Sequence, residues 1–515
     1  MTGTAKRPHS YLPLTIAGGV VTAQRRTPDK IALALGNQRL SYTQLVRRFN
    51  QISTAALDGV GLKTNDHAAI FAPNCLEYIE IICGLSSAGV ATATIPPSAS
   101  LREAAHICND SQAKILFVHE QMEDVARAAN LETIETIVVI GKDYDDWRDK
   151  AKPKEPDVPL EEWDVFCIPY TSGTTGNPKG CLLPHRSRTT GFYNMAVEFG
   201  CYSPDDRALG IAPLFHGAGF AFAMAPIYFG GFCEILPKYE PEQVLRLVSE
   251  MKLTNMFMVP THFHAMFSLG EKTLSKYDTG SLRSIISNAA ALPQATKEKI
   301  VGHFGDNLLN ETYGSTESGI ITNLRPADQL RKERCVGLPY PNTQVRLLDP
   351  NGNDVPRGEV GEIYTLTTTH FNGYWQLPEA TAESFRGQWV TVGDMGRLDD
   401  EGYLYLVDRK KDMIITGGEN VFPREIEEIL HTHPAVLEVG VIGVEDDYWG
   451  EAVKAVVVFR EGQSVGEEEL ISFCREYLAK YKIPKTFAII DKLPRNAGGK
   501  ILKTELRKRA KAGEL

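Results

Sequence analysis

Residues 170–180 read YTSGTTGNPKG. Within that stretch stand Gly173, Gly176 and Gly180, the hydroxyl residues Thr171, Ser172, Thr174 and Thr175, and one cation, Lys179. Glycine lets backbone N–H groups come close to an anion and cradle phosphate oxygens. The hydroxyls add donors, and lysine adds a compact positive charge. The spacing is not the G-x-x-x-x-G-K-[ST] of a Walker A loop, so this is a phosphate loop of a different kind.

The elements that must hold such a loop are legible around it. The run FCIPYTS reads as a strand leading into it, after a Pro- and charge-rich linker, AKPKEPDVP (151–159). Upstream, HAAIFAPN (67–74), ATATIPP (91–97), KILFVHE (114–120) and TIVVIGK (136–142) read as strands, and CLEYIEIICGLSSAGV (75–90) has helical spacing. Strands alternating with helices imply parallel sheets with crossover helices. The alternation continues from Lys179 to about Thr322. From Val336 to Leu406 the texture changes to short β pieces with Gly and Pro turns, a set of hairpins. After Lys411 comes a smaller α/β unit and a short basic tail. The fold class expected is α/β: a large N-terminal domain of two parallel-sheet subdomains plus a β-barrel-like subdomain, and a small mobile C-terminal α+β domain.

Composition narrows the function. The 515 residues are 43% hydrophobic and 23% charged, an ordinary globular mix. Lys plus Arg is 55 against 65 Asp plus Glu, a formal charge of -10, which speaks against nucleic acid as a partner. Nine widely spaced cysteines without C-x-x-C argue against disulfides and a zinc site. Ala208–Cys233 holds no Asp, Glu, Lys or Arg, long enough by count to span a bilayer. It also holds Pro213, Pro226 and His216, and it reads as a buried strand–turn–helix instead. The N-terminus lacks the apolar stretch of a signal peptide, and the C-terminus is not a peroxisomal address. These features lead us to expect a cytoplasmic protein with no integral membrane segment, a monomer or homodimer.

Six motifs in order, YTSGTTGNPKG (170–180), PLFHGAG (213–219), YGSTE (313–317), WVTVGD (389–394), DRKKDMIITGGENVFPREIE (408–427) and PRNAGGK (494–500), resemble the adenylate-forming superfamily of acyl- and aryl-CoA synthetases, amino-acid adenylation domains and luciferases. The resemblance covers nearly the whole chain. It implies ATP, Mg²⁺ and coenzyme A, and a two-step reaction: a carboxylate attacks the α-phosphorus of ATP to give acyl-AMP and pyrophosphate, then a thiol displaces AMP. It implies a hinge at 408–411 between domains 1–407 and 412–515, with Lys411 as pivot.

By the same resemblance, Thr171, Ser172, Gly173, Thr174, Thr175, Gly176 and Lys179 hold the phosphates. Glu317 is the expected Mg²⁺ ligand, Thr316 donates to the α-phosphate, and Tyr313, followed by Gly314 and Ser315, stacks on adenine. Asp394 and Arg409 take the ribose. Lys500 reaches the α-phosphate and the incoming carboxylate during adenylation. Gly417, Gly418 and Glu419 enter for the thiol step, with Trp449 lining the thiol tunnel. His216 is the gate between acyl pocket and ATP, acting by position rather than by proton transfer. His262 and His264 have no third ligand in sight for a metal.

The acyl pocket is expected from Phe192, His216, Gly217, Ala218, Phe220, Asn288, Ala289, Gly314, Gly319 and Ile320. Amino-acid adenylation domains place an Asp just after the gate residue to hold the ammonium, and here that residue is Gly217. A buried unpaired ammonium is costly, so an aliphatic or aromatic monocarboxylate is expected. The other readings are an enzyme loading a carrier-protein pantetheine, a non-catalytic nucleotide-binding regulator and a luciferase-type oxygenase.

Overall fold

Strands buried on both faces are made almost wholly of small or apolar residues, and two of them, His67–Phe71 and Ala91–Ile95, are buried at every residue. The structure, a computed structural model, describes residues 11–171, 178–417, 419–446, 448–495 and 501–515. It divides into two compact units: Met1–Val345 with Thr365–Val390, and Arg346–Tyr364 with Thr391–Leu515.

The first unit holds two sheets. In one, Thr136–Ile140, Ala113–His119, His67–Phe71, Ala91–Ile95 and Val165–Thr171 lie side by side and parallel. In the other, parallel strands Ile31–Leu35, Phe232–Ile235, Arg207–Gly210, Asn255–Met258, Ser284–Ser287 and Leu309–Ser315 are flanked by antiparallel edges. Helix Leu76–Ser87, apolar at most positions, is buried almost all round, Glu80 included. Glu80 is held by Arg48 at 2.7 Å, with Arg148 and the Tyr144 hydroxyl beside it. Helices start where hydroxyl caps stand. Ser41 and Ser100 each accept from the backbone N–H three residues on, and Gln44 and Glu103 reach back to close a capping box.

The charge-free run Ala208–Cys233 falls on a strand, Arg207–Gly210, a helix, Gly217–Tyr228, and the start of a strand, Phe232–Ile235, in the first unit. Among the described residues no helix is long and apolar enough to cross a membrane. All nine cysteines are buried.

One long-range contact has a pH consequence. The N–H of Ile16, at the start of helix Ile16–Arg26, donates to Nδ1 of His185 at 3.1 Å. Burial pushes the His185 pKa down to about 3, so the ring stays neutral and accepting. The unfolded chain binds this proton below about pH 6.5 and the native chain does not. Stability from this group is therefore complete above that pH and lost as pH falls toward 3. We expect a loss of about 1.4 kcal/mol per pH unit from this one proton. His185→Gln should flatten that slope in urea titrations between pH 7 and pH 4, and an unchanged slope would clear His185 of the effect.

In the second unit, Val436–Asp446 and Gly450–Phe459 form a long antiparallel pair, joined by Ile414–Thr416 and, parallel, by Thr486–Ile489. Helices Pro423–His431 and Glu467–Tyr477 bury Ile426, Leu430, Leu470 and Cys474 against this sheet. The helix Lys503–Lys511 packs Leu506 against Ile442 and Val456. The same unit contains the pairs Gly361↔Gly396 and Asp394↔Arg409, from strands Gly361–Thr367, Asp394–Leu398 and Leu404–Arg409. Residues 346–364 and 391–407 thus group with the C-terminal segment rather than with residues 1–345.

Candidate active site

Ser172, Gly173, Thr174, Thr175, Gly176, Gly418 and Lys500 lie outside the described residues. The flanks of the first loop are defined: Thr171 pairs with Lys179 and Tyr170 with Gly180, antiparallel. The segment Phe371–Trp375 clamps this hairpin. The Trp375 N–H donates to Gly180 O at 2.8 Å, the Leu182 N–H donates to Gly373 O, and Cys181 bridges Tyr374.

The same segment holds Glu317. The Phe371 N–H donates to Glu317 O, and the Tyr374 hydroxyl donates to Glu317 Oε1, each at 2.8 Å. Burial and then the Glu317 charge push the Tyr374 pKa up, so the phenol keeps its proton and remains a donor. The Cys181 thiol lies 3.8 Å from the same Oε1, its pKa raised by burial and Glu317. Lys179 Nζ sits 5.3 Å over the Tyr374 ring. Lys179 and Glu317 therefore share one neighbour, Tyr374. It belongs to none of the six motifs, and its contact with Glu317 spans 57 positions.

Glu317 closes the turn after strand Leu309–Ser315, which bulges at Tyr313 and Gly314 before pairing with Gly319–Leu324. Gly314 is obligatory, because a Cβ there would lie 2.1 Å from Gly319 O. Tyr313 is buried, and the Ser318 N–H donates to Ser315 Oγ at 3.1 Å. Thr316 O accepts from Arg188 Nη2 at 3.1 Å.

His216 caps helix Gly217–Tyr228, its Nδ1 accepting from the Ala218 N–H at 3.3 Å. Although the side chain is exposed, desolvation by the protein packed around the ring and the nearby Arg188 guanidinium hold its pKa below the usual range, and with Nδ1 accepting, the neutral ring carries its proton on Nε2. His216, Gly217 and Phe220 line a cavity with Arg188, Tyr78 and Phe166. Of the other expected pocket residues, Ala218, Asn288, Ala289, Gly314, Gly319 and Ile320 are not on its wall. Asn288 Nδ2 donates to Thr312 Oγ1 at 2.7 Å. Phe192 is fully buried in the core, 5.4 Å from the Tyr228 ring, because its position on helix His185–Phe199 faces inward. His262 stacks on Tyr239 at 4.1 Å and is a packing residue.

In the second unit Asp394 and Arg409 are register partners, and Arg409 Nε lies 3.3 Å from Asp394 Oδ1. Lys410 is anchored backward, its N–H donating to Gly393 O at 2.8 Å and its Nζ pairing with Glu362 at 2.9 Å. Asp412 is anchored forward, to Arg507 of the last helix at 2.8 Å. Lys411 is the residue between these two anchors. Gly417 has φ of +59° and donates its N–H to Trp449 O at 2.8 Å; a Cβ there would lie 2.9 Å from the indole. Trp449 is partly exposed, with Lys485 Nζ 5.0 Å over its ring.

A Mg²⁺ ion bound with phosphates needs one or two carboxylates from the protein. Glu317 suits that role: Oε1 is fixed by Tyr374, and Oε2 has no hydrogen-bond partner among the described residues. No group of three or more His, Cys, Asp or Glu that could hold an ion on its own occurs among the described residues.

Residues 20–375 match the AMP-binding enzyme family, and residues 425–500 match the AMP-binding enzyme C-terminal domain. The chain belongs to the AMP-binding enzyme family. It is 36% identical over 495 residues to a feruloyl-CoA synthase of an Amycolatopsis species, covering 95% of this chain and 98% of that protein. It is 32% identical over 496 residues to the fatty acid–[acyl-carrier-protein] ligase ScoC of Streptomyces coeruleorubidus, 94% of each chain. Among solved structures it resembles o-succinylbenzoate CoA synthetase (MenE) from Bacillus subtilis in complex with the acyl-adenylate intermediate OSB-AMP. That match has a TM-score of 0.85 and 27% identity, over 96% of this chain and 98% of that one.

Proposed function

We propose that this enzyme activates a non-amino carboxylic acid with ATP and passes the acyl group to coenzyme A. The class, an AMP-forming acid–CoA ligase acting through acyl-AMP, follows from membership of its family and from CoA ligases among its full-length relatives. Assigning a part to each residue is our reading. The observation that carries it is the buried Glu317 held by Tyr374, which also lies under Lys179 of the phosphate loop.

In the first step an oxygen of the acid attacks the α-phosphorus, and pyrophosphate leaves. Lys179 and the loop before it hold the phosphates, Thr316 donates to the α-phosphate, and Tyr313 takes the adenine. Glu317 would hold Mg²⁺, which offsets phosphate charge when bound. Asp394, oriented by Arg409, accepts from the ribose hydroxyls. Lys500 stabilises the charge that grows as two anions meet. His216, neutral and capping its helix, positions the acid rather than moving a proton. In the second step the thiol sulfur attacks the acyl carbon, and AMP leaves. Rotation at Lys411, between domains 1–407 and 412–515, exchanges Lys500 for Gly417, Gly418 and Glu419, and Trp449 flanks the thiol path. The ScoC relative makes a carrier-protein pantetheine the second candidate acceptor.

A pyrophosphate-release screen over a panel of carboxylic acids, with and without CoA, tests this reading. CoA-dependent turnover with at least one acid and AMP as co-product is expected. Release that ignores CoA but responds to a purified acyl-carrier protein would favour the second acceptor. Tyr374→Phe removes a hydrogen bond to a charged group, an interaction of about 1.5–3 kcal/mol. The Mg²⁺ concentration for half-maximal release should rise by about tenfold or more on that scale. An unaltered Mg²⁺ titration would detach Tyr374 from the metal site.

A further inference from the structure

Helix Leu101–Asp110 meets the phosphate loop at both of its ends. Tyr170, on the strand that enters the loop, donates its hydroxyl to Asp110 Oδ2 at 2.6 Å. Pro178 O, where the chain leaves it, lies 3.0 Å from His106 Nε2. A carbonyl only accepts, so this ring carries its proton on Nε2. His106 and Asp110 stand four positions apart, on one face of the helix. The His106 and Tyr170 rings meet edge to face, with centres 6.0 Å apart. The helix is itself pinned at its start by the Ser100–Glu103 capping box.

The neighbours of Tyr170 are arranged around this contact. Gly180 is its cross-strand partner, and a Cβ there would lie 3.1 Å from Tyr170 Cζ and 2.8 Å from Ile168 Cγ2. Glycine at 180 therefore leaves the phenol ring its place. Burial and then the Asp110 bond push the Tyr170 pKa up, so the phenol keeps its proton and donates. A phenylalanine would fill the same volume; the hydroxyl on a carboxylate adds direction rather than area. The helix end also holds a third element. Asp110 O accepts from the Trp375 indole at 2.8 Å, and Trp375 follows Tyr374, the donor to Glu317. A run with three glycines in eleven residues loses much conformational freedom when it orders. Ends held in advance lower that cost on binding.

We propose that His106 and Asp110 are positioning residues for ATP: acting through Pro178 and Tyr170, they hold the two ends of the loop at the spacing that receives the phosphates. This rests on the reading of residues 170–180 as the phosphate loop of an acid–CoA ligase. It gives Gly180 a task of its own, clearance for the Tyr170 ring.

Calorimetric titration with ATP and Mg²⁺, without acid, reads the effect apart from turnover. Tyr170→Phe and Asp110→Ala should each weaken ATP binding by about tenfold or more, the scale of a hydrogen bond to a charged group. The double variant should be no weaker than the more affected single, because both remove one contact. His106→Leu should cost about threefold, the scale of a neutral hydrogen bond, and His106→Gln, which can still donate, should recover part of it. In the pyrophosphate assay the KM for ATP should rise with these losses, while the KM for the acid stays within about twofold. Thermal melting shows that each variant folds. Unaltered ATP affinity in folded Tyr170→Phe and Asp110→Ala would overturn the proposal. So would an additive double variant, or a KM for the acid that rises as much as that for ATP, the mark of general loosening. A His106→Gln no better than His106→Leu would overturn the part given to His106. Wild-type enzyme that binds ATP yet releases no pyrophosphate with any acid would overturn the ligase reading instead, and the ATP affinities would still decide the positioning.

Discussion

Lys500→Ala should lower acyl-AMP formation by more than about 10²-fold, the cost of removing one preorganised stabiliser of transition-state charge. The acid and the α-phosphate are both anions, and their approach is the difficult part of the first step. In the proposed function, Lys500 of PRNAGGK would supply the offsetting charge. The thioester step has no such encounter, because acyl-AMP carries its charge away from the attacked carbon. Thioester formation from supplied acyl-AMP should therefore change little. Equal losses in the two half-reactions, measured by single turnover, would refute this division.

Lys411→Pro should separate the two steps in the opposite sense. Lys410 is tied to Gly393 and Glu362, and Asp412 to Arg507, so a change of backbone direction between the anchors falls on Lys411. Proline fixes φ near about -65° and removes an N–H, whereas a hinge works by absorbing dihedral change. We expect acyl-AMP to form and the CoA chase to slow by orders of magnitude. A variant that completes both steps at near wild-type rates would move the pivot elsewhere.

The sequence made some of this legible and hid the rest for identifiable reasons. Alternating apolar runs announced the parallel strands around residues 67–171, because strands covered on both faces cannot tolerate charge. The uncharged Ala208–Cys233 run read correctly as strand and helix, since its prolines and glycines suit a bundle of short elements better than a span. Glu317 was visible through YGSTE, but Tyr374 was not. Its importance comes from segment Phe371–Trp375 pairing with the strand that leaves the phosphate loop, a contact no local pattern encodes. Arg188 belongs to none of the six motifs, and only the tertiary structure buries it against Thr316 and a cavity. Phe192 lies away from the cavity beside His216. It was expected among the acyl-pocket residues, and the rotation of its helix sends the ring into the core. The contact boundary was equally hidden, because strands Asp394–Leu398 and Leu404–Arg409 join the C-terminal segment through pairings invisible in composition.

The central claim is that the acid's own oxygen becomes bonded to the α-phosphorus. It is tested most directly by supplying the preferred acid doubly labelled with ¹⁸O, together with ATP, Mg²⁺ and CoA, and recovering the products after turnover. The account predicts AMP carrying one ¹⁸O atom and unlabelled pyrophosphate. Label found in inorganic phosphate with ADP as the nucleotide product, or AMP free of label, would contradict it.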